Sequence, residues 1–304
     1  SSGAATLSSS VATRIPGASA LSPPRSTVHC SPAASCRGPL PAAEALVRDE
    51  RFRIFSFTGS TAVGWKLKAL AVKAQSCLEL GGNAAVFVGS DADLPWAAAR
   101  CAWGAFYYSG QVCISVQRIY VEQSVHAEFR RLLVENIKLL VIGDPMDEKT
   151  DIGPLIDEKS TLRVEEWLKE AVSKGAKLWT GGPRNGLVIP PSLLEGVPAD
   201  CKLSCEEAFG PVATLDAVTS REDALDRMSN SRYGLQAGLF TNDLAFIHKA
   251  FERLPVGGII VNDIPTFRSD AMPYGGMKDS GTGREGVRYA MEDFTEPKTL
   301  VFKS

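Results

Sequence analysis

The chain has 304 residues and a formal net charge of −2, with 44% hydrophobic and 22% charged residues. This balance excludes recruitment to nucleic acid or an anionic membrane by bulk charge. No apolar run reaches the roughly 18 residues that a membrane span needs, and at roughly 150 residues per domain the length fits one large or two modest domains.

Residues 1–36 are rich in Ser, Ala and Pro and contain no Asp or Glu. They show neither a helical nor a strand period. Such a composition buries too little apolar surface to offset its ordering entropy, so residues 1–37 are predicted to be a disordered or non-homologous segment. A Ser-rich, Arg-containing, acid-free start also resembles a transit peptide, and a damaged reading frame would look the same. Composition leaves these three readings open.

From Gly38 the pattern becomes α/β. Ala42 to Asp49 reads as a short helix, and Phe52 to Phe57 alternates as a strand. Thr58-Gly59-Ser60 makes a turn into a helix from Thr61 to Lys73. Ser76 to Leu80 and Ala84 to Val88 are strands separated by Gly81-Gly82. Asp93 to Tyr108 is a long helix with an acidic start. Arg118 to Val121 is a strand, followed by amphipathic helices from Val125 to Leu140 and from Asp157 to Lys174. Strands are predicted at Val212–Val218, Ala237–Phe240, Gly258–Val261 and Thr299–Phe302. Helices are predicted at Arg221–Met228 and Leu244–Leu254, and shortly after a Gly-rich loop from Pro265 to Gly286. Strands alternating with helices favour a largely parallel sheet covered on both faces.

Seven cysteines stand at irregular positions: Cys30, Cys36, Cys77, Cys101, Cys113, Cys201 and Cys205. The odd number argues against a disulfide framework and for a reducing, cytoplasmic compartment. Cys201 and Cys205 have no second Cys or His pair nearby, so no metal is predicted. His29, His126 and His248 sit in no motif, which leaves a Cys–His engine poorly supplied.

Four stretches can carry chemistry. Phe57 to Gly64 links a strand to a helix N-terminus, where free N–H groups suit a pyrophosphate. Glu79 ends an apolar strand between Leu78 and Leu80, where desolvation would raise its pKa and suit it to base work. Cys113 follows Gly110-Gln111-Val112 in a turn whose backbone N–H can face an oxyanion. Glu206-Glu207-Ala208-Phe209-Gly210-Pro211 sets a carboxylate and a phenyl ring where they suit a ribose and a flat heterocycle. Each also has an ordinary explanation: a strand–helix turn, an edge or paired glutamate, an inert buried cysteine, a solvated charge pair.

Together these stretches are more specific. The chain resembles the aldehyde dehydrogenase superfamily, non-acylating branch. The resemblance rests on Phe57-Thr58-Gly59-Ser60, Leu78-Glu79-Leu80-Gly81-Gly82-Asn83, Gly110-Gln111-Val112-Cys113, Glu206 to Pro211, and Pro273-Tyr274-Gly275-Gly276-Met277-Lys278-Asp279-Ser280-Gly281. Their order matches, and Glu79 and Cys113 stand 34 residues apart, as in the family. The similarity runs from about residue 38 to the C-terminus.

The resemblance implies oxidation of an aldehyde to a carboxylic acid with NAD or NADP. Cys113 would be the nucleophile, Glu79 the base, and Asn262 a support of the cysteine region. Gly59, Ser60 and Gly64 would lie at the cofactor phosphates, with Leu80, Glu207 and Phe209 also at the cofactor. It implies a remnant of a dinucleotide-binding domain over 38–81, a catalytic domain over 82–277 and a C-terminal return over 278–304. The terminal strand would pair copies into a homodimer or homotetramer. The loop from Asn262 to Arg268 resembles that of members acting on small hydroxylated or anionic aldehydes, with Arg268 able to meet an anion. Family members carry a large portion before Phe57 that Ser1 to Cys36 does not match, so the chain reads as N-terminally truncated. Two alternatives stay open: an inactive folded or interaction module, and a cofactor-free thioester or ester hydrolase.

Overall fold

Two sheets of unequal size organise the chain. The computed structural model describes residues 40–302. The Ser/Ala/Pro-rich segment, with His29, Cys30 and Cys36, lies outside the described residues. In chain order the first elements are α1 (Leu40–Arg48), β1 (Ile54–Thr58), α2 (Thr61–Leu70), β2 (Gln75–Glu79) and β3 (Ala84–Val88). Then come α3 (Leu94–Phe106), a 3-10 turn (Tyr107–Gly110), β4 (Val116–Glu122), α4 (His126–Lys138) and α5 (Glu158–Ser173). The middle of the chain adds β5 (Lys177–Thr180), β6 (Ser192–Glu195), α6 (Lys202–Cys205), β7 (Val212–Val218) and α7 (Arg221–Ser229). It closes with β8 (Tyr233–Gly234), β9 (Gln236–Phe240), α8 (Leu244–Arg253), β10 (Gly258–Val261), β11 (Met277–Lys278), β12 (Gly281–Thr282) and α9 (Val287–Asp293).

The large sheet has the order β10-β9-β3-β4-β7-β6-β5 and is parallel except for β5 against β6. The small sheet has the order β1-β2-β12, with β12 antiparallel to β2. A two-stranded ribbon pairs β11 with β8. This is the α/β architecture with a largely parallel sheet that the alternation predicts. Among the described residues no helix is long and apolar enough to cross a membrane.

The sequence explains the burial. β3 reads Ala84-Ala85-Val86-Phe87-Val88 and every residue is buried, as expected of a strand covered on both faces. Val86, Val116, Ile119 and Val121 meet α3 and α4 on one side through Ala98, Ala102, Phe129 and Leu133. Phe87, Tyr120 and Leu239 meet α7 and α8 on the other through Leu225 and Phe246. Caps fix where the helices begin. Asp93 accepts from Trp96 N at 3.0 Å, Asp157 from Ser160 N at 2.7 Å and Asp243 from Phe246 N at 3.1 Å.

The parallel order decides where the site falls. Ala84 of β3 stands beside Val116 of β4 at the N-terminal ends of both strands. The segments that enter them, Glu79 to Asn83 and Gly110 to Ser115, therefore meet.

Two expectations need correction. The helix predicted through Tyr108 stops at Phe106, because Tyr108 and Ser109 adopt φ of +50° and +56°. Strands β5 and β6, and the short elements α6, β8, β11 and β12, form where the sequence pattern predicts none. Residues 299–302, expected to pair with a second copy, have no strand partner among the described residues of this chain, and Leu300, Val301 and Phe302 are exposed.

Candidate active site

The nucleophile candidate follows a left-handed run. Tyr108, Ser109 and Gly110 have φ of +50°, +56° and +69° in succession. Non-glycine residues avoid that region, and such conformations cluster where the surroundings over-determine them. Here they are over-determined. A Cβ on Gly110 would lie 2.1 Å from Gly210 O. The Ser109 hydroxyl donates to Gly153 O at 2.9 Å and accepts from Gly153 N at 3.0 Å. Gln111 Oε1 accepts from Ile156 N at 2.9 Å. A following turn, Ser115 N to Val112 O at 3.0 Å, carries Cys113 at its second position.

Cys113 is half-buried, with its sulfur 3.3 Å from the Tyr274 hydroxyl. Burial pushes its thiol up; the Tyr274 contact opposes this, and the carboxylates of Glu207 and Glu79 add to the rise. Cys77 and Cys101 are different. Both are buried, and burial pushes the Cys77 thiol up to about 11 and Cys101 further. They behave as inert core thiols.

Glu79 closes β2 opposite Gly281 of β12. Its side chain is buried, and neither carboxylate oxygen has a hydrogen-bond partner among the described residues. Burial therefore drives its pKa up to about 8, helped by Glu285 and opposed by Arg284 and Arg268. An unpaired buried carboxylate is costly to the fold, and an acid poised near neutrality is what general base work requires.

Glu207 completes the set. Its Oε1 accepts from Gly82 N at 2.9 Å. Burial raises it to about 7 against the pull of that N–H and of Arg163. Phe209 beside it is part-exposed with φ of +43°. Glycines let these groups approach: a Cβ on Gly81 would lie 2.4 Å from the Glu207 carboxylate, and one on Gly82 2.3 Å from Cys113 O.

One cavity of about 640 Å³ joins these parts. Gly59, Ser60, Glu79, Leu80, Cys113, Glu207 and Phe209, all expected at the site, line it. Arg163 of α5 also lines it and went unnoticed in the sequence, because nothing around it forms a motif. At one end of the cavity α2 begins. Its N-cap Ser60 makes no side-chain cap bond, its first turn holds no acid, and the buried Thr61 hydroxyl has no partner among the described residues.

Two expected residues stand elsewhere. Gly64 does not line the cavity; a Cβ there would lie 2.3 Å from Leu80 Cδ2, so it lets α2 approach Leu80, the residue after β2. Asn262 follows the C-terminal end of β10, whereas Cys113 enters the N-terminal end of β4. Its side chain accepts from Thr241 N at 3.1 Å and donates to Asn242 Oδ1 at 3.1 Å. It braces the far edge of the sheet and makes no bond to the Cys113 turn. Two residues in a motif read only for its resemblance emerge instead. Tyr274 touches the thiol, and the Ser280 hydroxyl donates to Gly81 O at 2.7 Å while accepting from Gly234 N at 2.9 Å.

A thiol and an unpaired carboxylate thus converge on one cavity where the chain enters β3 and β4 of a doubly wound α/β sheet. The chain belongs to the aldehyde dehydrogenase family, whose pattern matches residues 38–300. It is 46% identical over 258 residues to the 3-sulfolactaldehyde dehydrogenase of Priestia aryabhattai, covering 85% of this chain and 54% of that protein. Aldehyde dehydrogenase 21 from Physcomitrella patens, solved with the reaction product succinate, superposes with a TM-score of 0.84 at 44% identity, over 86% of this chain and 55% of that one. A glyceraldehyde-3-phosphate dehydrogenase from Methanocaldococcus jannaschii, solved with NADP, gives 0.80 at 41% identity, over 82% of this chain and 54% of that one. The chain thus spans about half the length of the relatives it matches.

Proposed function

We propose that this chain oxidises a small aldehyde to its carboxylic acid with NAD or NADP, through a covalent adduct on Cys113. The observation that carries the reading is the convergence of Cys113 and the unpaired Glu79 carboxylate on one cavity that begins at the α2 N-terminus. The residues present fit a dinucleotide. The uncapped first turn of α2, with Gly59, Ser60 and the unpartnered Thr61 hydroxyl, suits a phosphate. Leu80, Arg163, Glu207 and Phe209 line the wall between that turn and the thiol. A bound nicotinamide cofactor would supply the two-electron acceptor.

The chain's own groups do the rest. The Cys113 thiolate adds to the aldehyde carbon and forms a thiohemiacetal. The Cys113 N–H makes no backbone–backbone bond among the described residues and would donate to the developing oxyanion. After oxidation to the thioester, Glu79 takes a proton from water as that water attacks the acyl carbon. The acid leaves and the thiolate is restored. Because Glu79 ionises only near pH 8, the deacylation step is slow at pH 6 and rises as pH passes about 8. The names of the relatives, and Arg268 in the loop before Tyr274, favour a short aldehyde bearing a hydroxyl or an anionic group. Arg268 is already paired with Glu285 at 2.9 Å, so an anion there would share the guanidinium.

The test uses the full chain with NAD or NADP and a panel of two- to four-carbon hydroxy, phospho and sulfo aldehydes. Reduced cofactor should accumulate, and Cys113→Ala should abolish it. No turnover with any substrate, together with no cofactor binding by calorimetry, would sink the reading. Ester hydrolysis that survives without cofactor and is lost in Cys113→Ala would favour a hydrolase instead.

A further inference from the structure

Beyond the nucleophile and the base, one buried polar side chain meets the reacting sulfur. Tyr274 is 4% exposed, and the only hydrogen-bond partner of its hydroxyl among the described residues is the Cys113 sulfur at 3.3 Å. The ring is fixed from several sides. Tyr274 N donates to Glu285 O at 3.0 Å, and Glu285 N donates to Tyr274 O at 2.6 Å. The Arg268 guanidinium lies 4.2 Å from the ring centroid and is held there by its pair with Glu285. A phenol locked by its own backbone and by a stacked cation keeps its hydroxyl where it is.

The geometry points to Tyr274 as the residue that holds Cys113 in its thiolate form, its O–H donating to the sulfur once the thiol proton has left. With a neutral thiol either partner can donate. A thiolate carries no proton and can only accept, so ionisation turns the contact into a charge-assisted bond, about twice as strong as a neutral one. The remaining groups facing the sulfur give little help. Glu79 from β2 and Glu207 from the segment before β7 repel negative charge. Tyr107, beyond α3, faces it as a neutral phenol that burial pushes up to about 12. Arg163 of α5 donates to Glu207 O at 3.4 Å. Arg268 stands beside Tyr274 and, with Arg284, acts on Glu79, while Glu285, paired with Arg268 at 2.9 Å, opposes them. Burial and two carboxylates thus oppose a thiolate, and the Tyr274 bond is the largest influence in its favour. Tyr274 itself stays protonated, because burial and the nearby thiol and carboxylate push its own ionisation far up. It is a positioning residue that works through Cys113.

This deepens the reading of Cys113 as nucleophile and rests on that reading only for its catalytic meaning. Iodoacetamide consumes thiolates and needs neither cofactor nor aldehyde. The full chain and its Tyr274→Phe variant are alkylated from about pH 6 to about pH 10, spanning ordinary thiol ionisation. Peptide mass spectrometry follows Cys113 and, as an internal reference for the fold, the part-exposed Cys205. In the variant, Cys113 alkylation at pH 7 should fall about tenfold relative to Cys205, and its midpoint should move up by about one pH unit. A ratio within about twofold of the wild type, or a faster Cys113, overturns the proposal. An unmoved midpoint accompanied by lost aldehyde oxidation also overturns it, since Tyr274 would then act by packing alone. A shifted midpoint in a chain that oxidises no aldehyde leaves the tyrosine's role standing and removes the proposed function instead.

Discussion

The two sheets hold the two reacting groups by different means. Cys113 enters β4 at the middle of the large sheet, where β3 and β9 are wholly buried and helices cover both faces. Glu79 ends β2 in the small sheet, whose edge strand β1 and helices α1 and α9 have no fully buried residue and whose helix α2 buries only Gly64 and Leu67. The thiol is therefore carried on a short turn that leads directly into the packed core. The carboxylate is set by a strap, the segment from Tyr274 to Glu285, that ties the small sheet to the large one. Leu80 N donates to Ser280 O at 3.0 Å, and the Ser280 hydroxyl bridges Gly81 to Gly234. The comparison teaches that two halves of one reaction can rest on structures of unequal stiffness, provided that a few main-chain bonds join them.

The largest effect that would separate the two halves is chemical. Glu79→Gln should slow thioester hydrolysis by about 10²–10⁴ while leaving the first burst of cofactor reduction nearly intact. The wild-type rise in deacylation through about pH 8 should be absent from the variant, because the base form is the ionised one and its pKa is raised. Rapid-mixing kinetics would show both, and a burst lost in proportion would break the division of labour.

A smaller effect measures stiffness directly. Backbone amides of Val86 and Phe87 in β3 should exchange only through global opening, while those of β1 should exchange roughly 100-fold faster through local opening. Equal protection in both strands would mean that the small sheet is no weaker than the large one.

The smallest effect concerns the strap. Ser280 is fully buried, and Ser280→Ala leaves Gly81 O and Gly234 N without its hydroxyl. Unpaired buried groups of this kind cost about 1–3 kcal/mol. Denaturant unfolding should register that loss, and a neutral result would place the strap's strength in its backbone bonds alone.

Much of this arrangement was legible in the sequence where the signal is local. The apolar run of β3, the acidic start of α3 and the Gly-Gly break after Glu79 each state their structure within a few residues. β5 and β6 were missed because four-residue strands on either side of a Gly- and Pro-rich loop offer too short a period. Leu300 and Phe302 alternate as a strand does, and the single chain offers them no partner edge among the described residues. Gly64 was placed at a phosphate because a glycine near a helix start suits both phosphate approach and helix–strand packing, and Leu80 decides for the second. Tyr274 had no local signal at all, since its contact lies 161 residues away along the chain.

The glycines around the site have a further consequence. Gly81 backs the Glu207 carboxylate, Gly82 backs the Cys113 carbonyl, and a Cβ on Gly275 would lie 2.9 Å from Glu79 Oε1. The spacing of the chemical groups is thus cast in main chain, while Gln111, Val112 and Phe209 face the cavity with side chains. Such a site separates its gauge from its gate. Substitutions in the wall can change which molecule is admitted without altering the distances at which bonds are made.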